Sequence, residues 1–250
     1  MDAQNILNTI KSRVMYPIYR DWGAGRVERG NYAGALADCN RAIALRPDEP
    51  LPYLHRGTAN YRMGNVEAAI ADYEHVLRIQ PDMLNAHINL GNLYYDRGEY
   101  AEAMRCYNMA IYHDRSSALA YYNRALVATA IEQYENALAD YDEALRLMPD
   151  YAFIYGNRGE VLFMLGRYDE ALENFHRAHQ MVPRLRRAVA GMAIALHALG
   201  RTLDSINVWN HLLEQDTCYY DANWVQAEHD WSMALTNEVR GLLADLDPNS

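Results

Sequence analysis

Residues 87–115 read HINLGNLYYDRGEYAEAMRCYNMAIYHDR. Leu90, Gly91 and Tyr94 fall at i, i+1 and i+4, on one side of a helix. Ala103, Tyr107 and Ala110 follow at i, i+4 and i+7, one face of a second helix. Between them Asp96-Arg97-Gly98-Glu99 supplies the turn. The stretch is one antiparallel helix pair, and the chain on either side varies the same theme.

Working outward, the same residue types return at a fixed interval. Pro47, Pro81, Pro149 and Pro183 are separated by 34, 68 and 34 residues, with Arg115 in the vacant slot. Ala35, Ala69, Ala103, Ala137 and Ala171 keep the same period. So do Gly30, Gly64, Gly98, Gly166 and Gly200, with Glu132 in the fourth place. Large residues recur as Tyr73, Tyr107, Tyr141, Phe175 and Trp209, after Cys39.

On these residues the chain resembles the tetratricopeptide repeat family over residues 16–219. The resemblance implies an all-α, right-handed α-solenoid of stacked antiparallel helix pairs with helical caps. Six repeats are placed at 16–49, 50–83, 84–117, 118–151, 152–185 and 186–219. Residues 1–15, with Ile6, Leu7, Ile10 and Val14 on a stripe, are expected as an N-terminal capping helix. Residues 220–250 are expected as a C-terminal capping helix or helices, with Trp224, Ala227, Trp231, Leu235, Val239 and Leu242 on a stripe, and a frayed tail Asp247-Pro248-Asn249-Ser250. The acidic excess of residues 201–250 suits a terminal element with one polar face.

The pattern also has a physical basis. A small residue at repeat position 8 (Gly23, Gly57, Gly91, Ala125, Gly159, Ala193) lets a neighbouring helix approach, and the large residue at position 24 fills the gap. Gly at position 15 ends the first helix in a left-handed conformation, and Pro at position 32 stops the second. One pair cannot bury its apolar stripe alone, so pairs stack. Arg56, Arg124 and Arg158 at position 7 are expected to pair with Asp38, Asp72 and Asp140 at position 23, in their own or the preceding repeat.

Charge excludes some functions. A net charge of −10 repels phosphate backbones and anionic membrane surfaces, so neither nucleic acid nor membrane insertion is expected. Residues 1–20 lack the pattern of a secretory signal. Cys39, Cys106 and Cys218 form no C-x-x-C pair and read as buried free thiols in a reducing, cytoplasmic setting. No phosphate-binding, nucleophile-elbow or H-E-x-x-H motif occurs. His176 and His179 share a helix face without a third ligand in register. No catalytic residue, metal or cofactor is therefore expected.

The remaining candidates lie on the first-helix face not used for packing, at positions 2, 6, 9 and 13. In the family this face resembles the lining of a concave groove that holds a partner peptide. Asn89, Asn123 and Asn157 occupy position 6 in three consecutive repeats, and Asn92 adds position 9. These amides read either as a ladder gripping a peptide backbone or as ordinary repeat residues. Tyr95, Tyr122, Leu126, Phe153 and Phe163 lie around them, off the packing phase. Chaperone-tail binders of the family resemble a clamp that pairs amides with cations. Here Ile88, Asn92, Asn123, Phe153 and Asn157 stand in those places, so the cations are missing and no such binding is expected. Arg184, Arg186 and Arg187 form a basic cluster, read either as solvated loop charge or, with Arg184 and Arg187 as the candidate contacts, as a site for an acidic segment of the partner or of this chain's own C-terminal region.

The expected function is a protein–protein interaction scaffold or assembly factor. It would hold an extended or helical, uncharged or apolar segment of a protein or peptide partner. The alternative is a self-assembling structural homo-oligomer whose groove is filled by another copy or by its own C-terminal helix.

Overall fold

The computed structural model describes the backbone of residues 3–246; before residue 11, only the side chain of Thr9 is described. The expected tail Asp247–Ser250 and the side chains of Ile6, Leu7 and Ile10 lie outside the described residues. Among the described residues there are fourteen α-helices and one short 3-10 turn, with no strand. The chain divides into two compact units, Met1–Ala120 and Tyr121–Ser250.

The first unit contains α1 (Ala3–Glu28), α2 (Tyr32–Leu45), α3 (Pro50–Arg62), α4 (Val66–Ile79), α5 (Leu84–Asp96) and α6 (Tyr100–His113). Consecutive helices from α1 to α6 pack antiparallel in pairs, each pair on the next. The residues expected as a separate N-terminal cap run without a break into the first helix of repeat one, as the single helix α1. Pro17 lies inside that helix, and Val14 is exposed.

The turns follow from backbone chemistry. Gly30, Gly64 and Gly98 have φ between 72° and 79°, where a side chain is disfavoured. At Gly98 the N–H donates to Tyr95 O at 2.8 Å and the next N–H, of Glu99, donates to Tyr94 O at 2.8 Å. This double bond closes the end of α5 and satisfies carbonyls the helix leaves open. Position 8 also behaves as its size demands. A Cβ on Gly91 would lie 2.6 Å from Tyr107 Cε1, and one on Gly57 would lie 2.8 Å from Tyr73 Cε1. Both tyrosines and the alanines of position 20 are buried.

The second unit holds most of α7 (Ala118–Ala130), then α8 (Tyr134–Leu147), α9 (Ala152–Met164), α10 (Tyr168–Met181), α11 (Arg186–Ala198) and α12 (Thr202–Gln215). A 3-10 turn at Thr217–Tyr220 leads to α13 (Ala222–His229) and α14 (Met233–Leu246). The turn after α7 keeps the same double hydrogen bond although Glu132, at φ 59°, replaces glycine. In repeat six, Ser205 replaces the position-20 alanine, and its hydroxyl satisfies itself on Ala193 O at 2.8 Å.

The C-terminal region is two helices, and it does not keep the single stripe expected of it. Asp230 takes a left-handed conformation, φ 50°, and resets the phase between α13 and α14. α13 therefore buries Ala222, Val225 and His229, while Ala227 faces outward. Trp231, Leu235, Val239 and Leu242 remain one buried ridge.

The arginine–aspartate pattern holds twice and changes twice. Arg56 pairs with Asp72 at 2.6 Å and Arg124 with Asp140 at 2.7 Å, each within its own repeat. Arg158 has Asn174 at position 23 of its repeat and turns to Asp142 of the preceding one, at 2.8 Å. Buried Asp38 takes Arg26 and Arg41, each at 2.9 Å, because no arginine stands at position 7 of repeat one.

Candidate functional site

Each unit presents first helices whose positions 2, 5, 6, 9 and 12 carry the candidate residues. In the first unit these residues are tied to the tyrosines beneath them. Asn92 accepts a 2.7 Å hydrogen bond from the Tyr107 hydroxyl. Asn89 bonds the Tyr73 hydroxyl, which also donates to Thr58 Oγ1 at 3.2 Å. Burial pushes Tyr73 up to about 12 and Tyr107 higher still, so both stay protonated donors. Tyr95 is half-buried with its ring 5.8 Å from that of Tyr100.

The second unit gathers more of the candidates. Asn157 Nδ2 donates to the Tyr122 hydroxyl at 2.9 Å. Burial raises Tyr122 to about 12. The Tyr122 ring lies edge-on to Tyr151 at 5.7 Å, and Tyr151 lies 5.5 Å from Phe153. Phe153 is 47% exposed, an aromatic ring with one side in solvent. Asn123 and Leu126, on the same helix as Tyr122, are half-buried. Phe163, by contrast, is buried with its ring 5.0 Å from Tyr168. Asn89 belongs to the first unit, and Asn123 and Asn157 to the second.

The basic cluster is largely spent inside the fold. Arg187 binds Glu160 through two guanidinium nitrogens, with Nη2 2.6 Å from Oε2. Arg186 reaches Asp216 at 3.2 Å. Arg184 stays exposed in the loop before α11. Sequence reasoning did not single out Glu160. Its signal was available, as an acidic residue at position 9, the slot that holds Asn92 in repeat three. Trp231 Nε1 donates to the same carboxylate at 3.0 Å, so a residue from the C-terminal region reaches the first-helix face of α9 and α11.

Among the described residues no group of three or more His, Cys, Asp or Glu is placed to hold a metal ion. Cys39 is buried and its thiol is pushed up to about 12 by desolvation, and Cys106 to about 11, so neither is a ready nucleophile. Cys218 is exposed rather than buried. Among the described residues no helix is long and apolar enough to cross a membrane.

The helix pairs, the glycine turns and the position-8 contacts agree with comparisons to known proteins. Three family models described as tetratricopeptide repeat or TPR repeat match the chain, at residues 23–89, at 91–130, and at 116–184 and 150–207. The chain belongs to the tetratricopeptide repeat family. No curated protein sequence matches it. Many solved structures do. A crystal structure of MamA is 25% identical, with a TM-score of 0.60, over 64% of this chain and 94% of that one. A MamA fragment, 41-end, from Desulfovibrio magneticus RS-1 is 20% identical over 69% and 97%, with a TM-score of 0.61. YrrB, described as a TPR protein with an unusual peptide-binding site, is 18% identical over 81% and 97%, with a TM-score of 0.63. The last two likenesses establish the fold.

Proposed function

We propose that this chain is a protein-binding scaffold without catalysis of its own. It holds an uncharged or apolar, extended segment of a protein partner on the first-helix face of its second unit. The observation that carries this reading is Phe153, half in solvent beside Tyr151 and Tyr122. Solvent-facing rings backed by other rings are good anchors, because they bury large area with few rotamers to freeze. Asn157, fixed by Tyr122, adds a carboxamide whose oxygen accepts from a peptide N–H. Asn123 and Leu126 flank the rings on α7. The peptide-binding site of YrrB is a property of YrrB, and as an example from the same family it supports a binding role for this chain. A cytoplasmic setting suits the free thiols and the acidic surface.

The test compares proteins retained by the immobilised wild-type chain with those retained by Phe153→Ala and Tyr151→Ala, all shown to melt alike. A partner anchored on these rings loses about tenfold or more in affinity when Phe153 is truncated. An unchanged set of partners with unchanged affinities would remove the patch from consideration.

A further inference from the structure

The helix α14 lies on a face that a repeat stack leaves open. It packs on α9 and α11 as well as on α12 and α13. Its contacts reach groove positions of two successive first helices. Trp231 donates to Glu160 on α9 at 3.0 Å, and Ser232 Oγ lies 3.0 Å from Met164 Sδ. On α11, His197 sits between two carboxylates of α14, Glu238 at 2.5 Å and Asp245 at 3.2 Å. Between these polar ends runs the apolar ridge Trp231, Leu235, Val239 and Leu242, at i, i+4, i+8 and i+11, each under 5% exposed. The segment is thus an amphipathic, acid-flanked helix seated on the face that the Proposed function assigns to partners one repeat earlier.

Two features distinguish α14 from a permanent cap. Glu160 keeps a counter-charge of its own: Arg187 holds both carboxylate oxygens, so the carboxylate stays paired when the Trp231 indole leaves. The joint to α13 is short, and Asp230 caps α13 in a left-handed conformation with its N–H on Gln226 O. The hydrogen bonds of this cap lie within α13 and the joint, so they survive when α14 leaves.

We propose that the α9–α11 face is a binding site for an amphipathic, acidic helix of another protein that carries a tryptophan at the head of its apolar ridge, and that α14 is the internal ligand such a helix displaces. The partner's indole takes Glu160 as acceptor, its ridge takes the place of Leu235, Val239 and Leu242, and its carboxylates take His197. The site shares α9 with the Tyr122–Phe153 patch but uses other residues of it, so the retention of partners on Phe153 remains an independent readout when peptide binding here fails.

The experiment uses the full chain and a fluorescent synthetic peptide of residues 230–246. Trp231→Ala weakens the internal ligand without altering the face, so the peptide binds that variant about tenfold more tightly than wild type. Hydrogen exchange on the wild-type chain supplies a readout that needs no variant. Amides of α14 exchange about tenfold or more faster than those of α9 and α11, as a separately opening segment. Exchange of all three helices as one unit overturns the proposal, as does a peptide that binds Trp231→Ala no better than wild type. A wild-type dimer that grows with concentration and vanishes in Trp231→Ala would assign the face to a second copy, and would likewise overturn a foreign helix.

Discussion

Repeat three and repeat five carry different residues at position 9, and their first helices end up in different surroundings. On α5 the residue is Asn92, which accepts from the Tyr107 hydroxyl of its own repeat. On α9 it is Glu160, a buried carboxylate. A buried charge demands a cation, and Arg187 on α11 supplies one. A second donor, Trp231, then comes from the C-terminal region. The residue at position 9 thus bonds within its own repeat in one case and to distant parts of the chain in the other.

The sharpest way to break this contrast is Glu160→Ala. Arg187 then loses its carboxylate and the Trp231 indole its acceptor. Removing one partner of a fully buried ion pair costs about 3–5 kcal/mol. Arg187 keeps a third of its side chain in solvent, so a loss at the lower end, about 3 kcal/mol, is expected. Chemical denaturation followed through the tryptophans measures it. A loss under about 1 kcal/mol, the scale of a surface pair, would mean that Glu160 is no buried hub.

The C-terminal region also carries a dependence on pH. His229 is buried against the Tyr219 hydroxyl at 3.1 Å. Burial, with Arg187 and Arg186 nearby, pushes it from the usual 6.5 down to about 4. The folded chain therefore prefers the neutral ring. That contribution is fully present above about pH 6.5 and is lost as pH falls through about 4, because the unfolded chain takes up the proton first. The expected loss between pH 7 and pH 4 is roughly 2–3 kcal/mol beyond what the carboxylates contribute. His229→Gln keeps a partner for Tyr219 and removes the titration. Its melting temperature should fall less steeply over that range than that of wild type, and identical slopes would count against the buried neutral ring.

The contrast also explains what the sequence revealed. Positions 8, 15, 20 and 24 were legible because each answers to a neighbour one helix away, and the same answer recurs every 34 residues. Gly91 and Tyr107 announce each other, as do Gly159 and Phe175. The partners of Glu160 and His197 were not legible, since Arg187, Trp231 and Glu238 lie 27, 71 and 41 positions away and recur with no period. The break at Asp230 was hidden for a related reason: the apolar residues on both sides fit a single helical stripe. Phe163 was read off the packing phase and is buried nonetheless. Its ring packs on Tyr168 of the same repeat, a contact outside the positions 8, 20 and 24 on which the phase was read.

A smaller effect sharpens the local side of the comparison. Asn92→Ala leaves the hydroxyl of Tyr107, a residue 1% exposed, without its acceptor. An unpaired buried hydroxyl costs about 1–3 kcal/mol, and the better helix propensity of alanine returns about half a kcal/mol. A net loss of about 1 kcal/mol is expected by thermal melting. Asn157→Ala removes a donor to the half-buried Tyr122 hydroxyl, which water can replace, so its loss should be smaller. Equal losses at the two sites would show that both amides serve the scaffold in the same way.

The smallest effect tests a slot where the repeat rule is kept by geometry and broken by residue type. Gly98 and Glu132 occupy position 15 with φ 73° and 59°, and both turns carry the same pair of backbone hydrogen bonds. Glu132 is exposed, so its side chain has little packing to lose. A left-handed conformation costs a residue with a Cβ about 1–2 kcal/mol. Glycine escapes that cost and loses part of the gain through its greater freedom in the unfolded chain. Glu132→Gly should therefore stabilise the chain by about 0.5–1 kcal/mol. Gly98→Ala is the mirror experiment: no atom lies within 4 Å of the added Cβ, so any loss comes from the backbone alone. A gain at 132 matched by a similar loss at 98 would isolate the conformational cost. If Glu132→Gly were neutral while Gly98→Ala cost about 1 kcal/mol, the Glu132 side chain would be supplying an interaction that offsets its strained backbone.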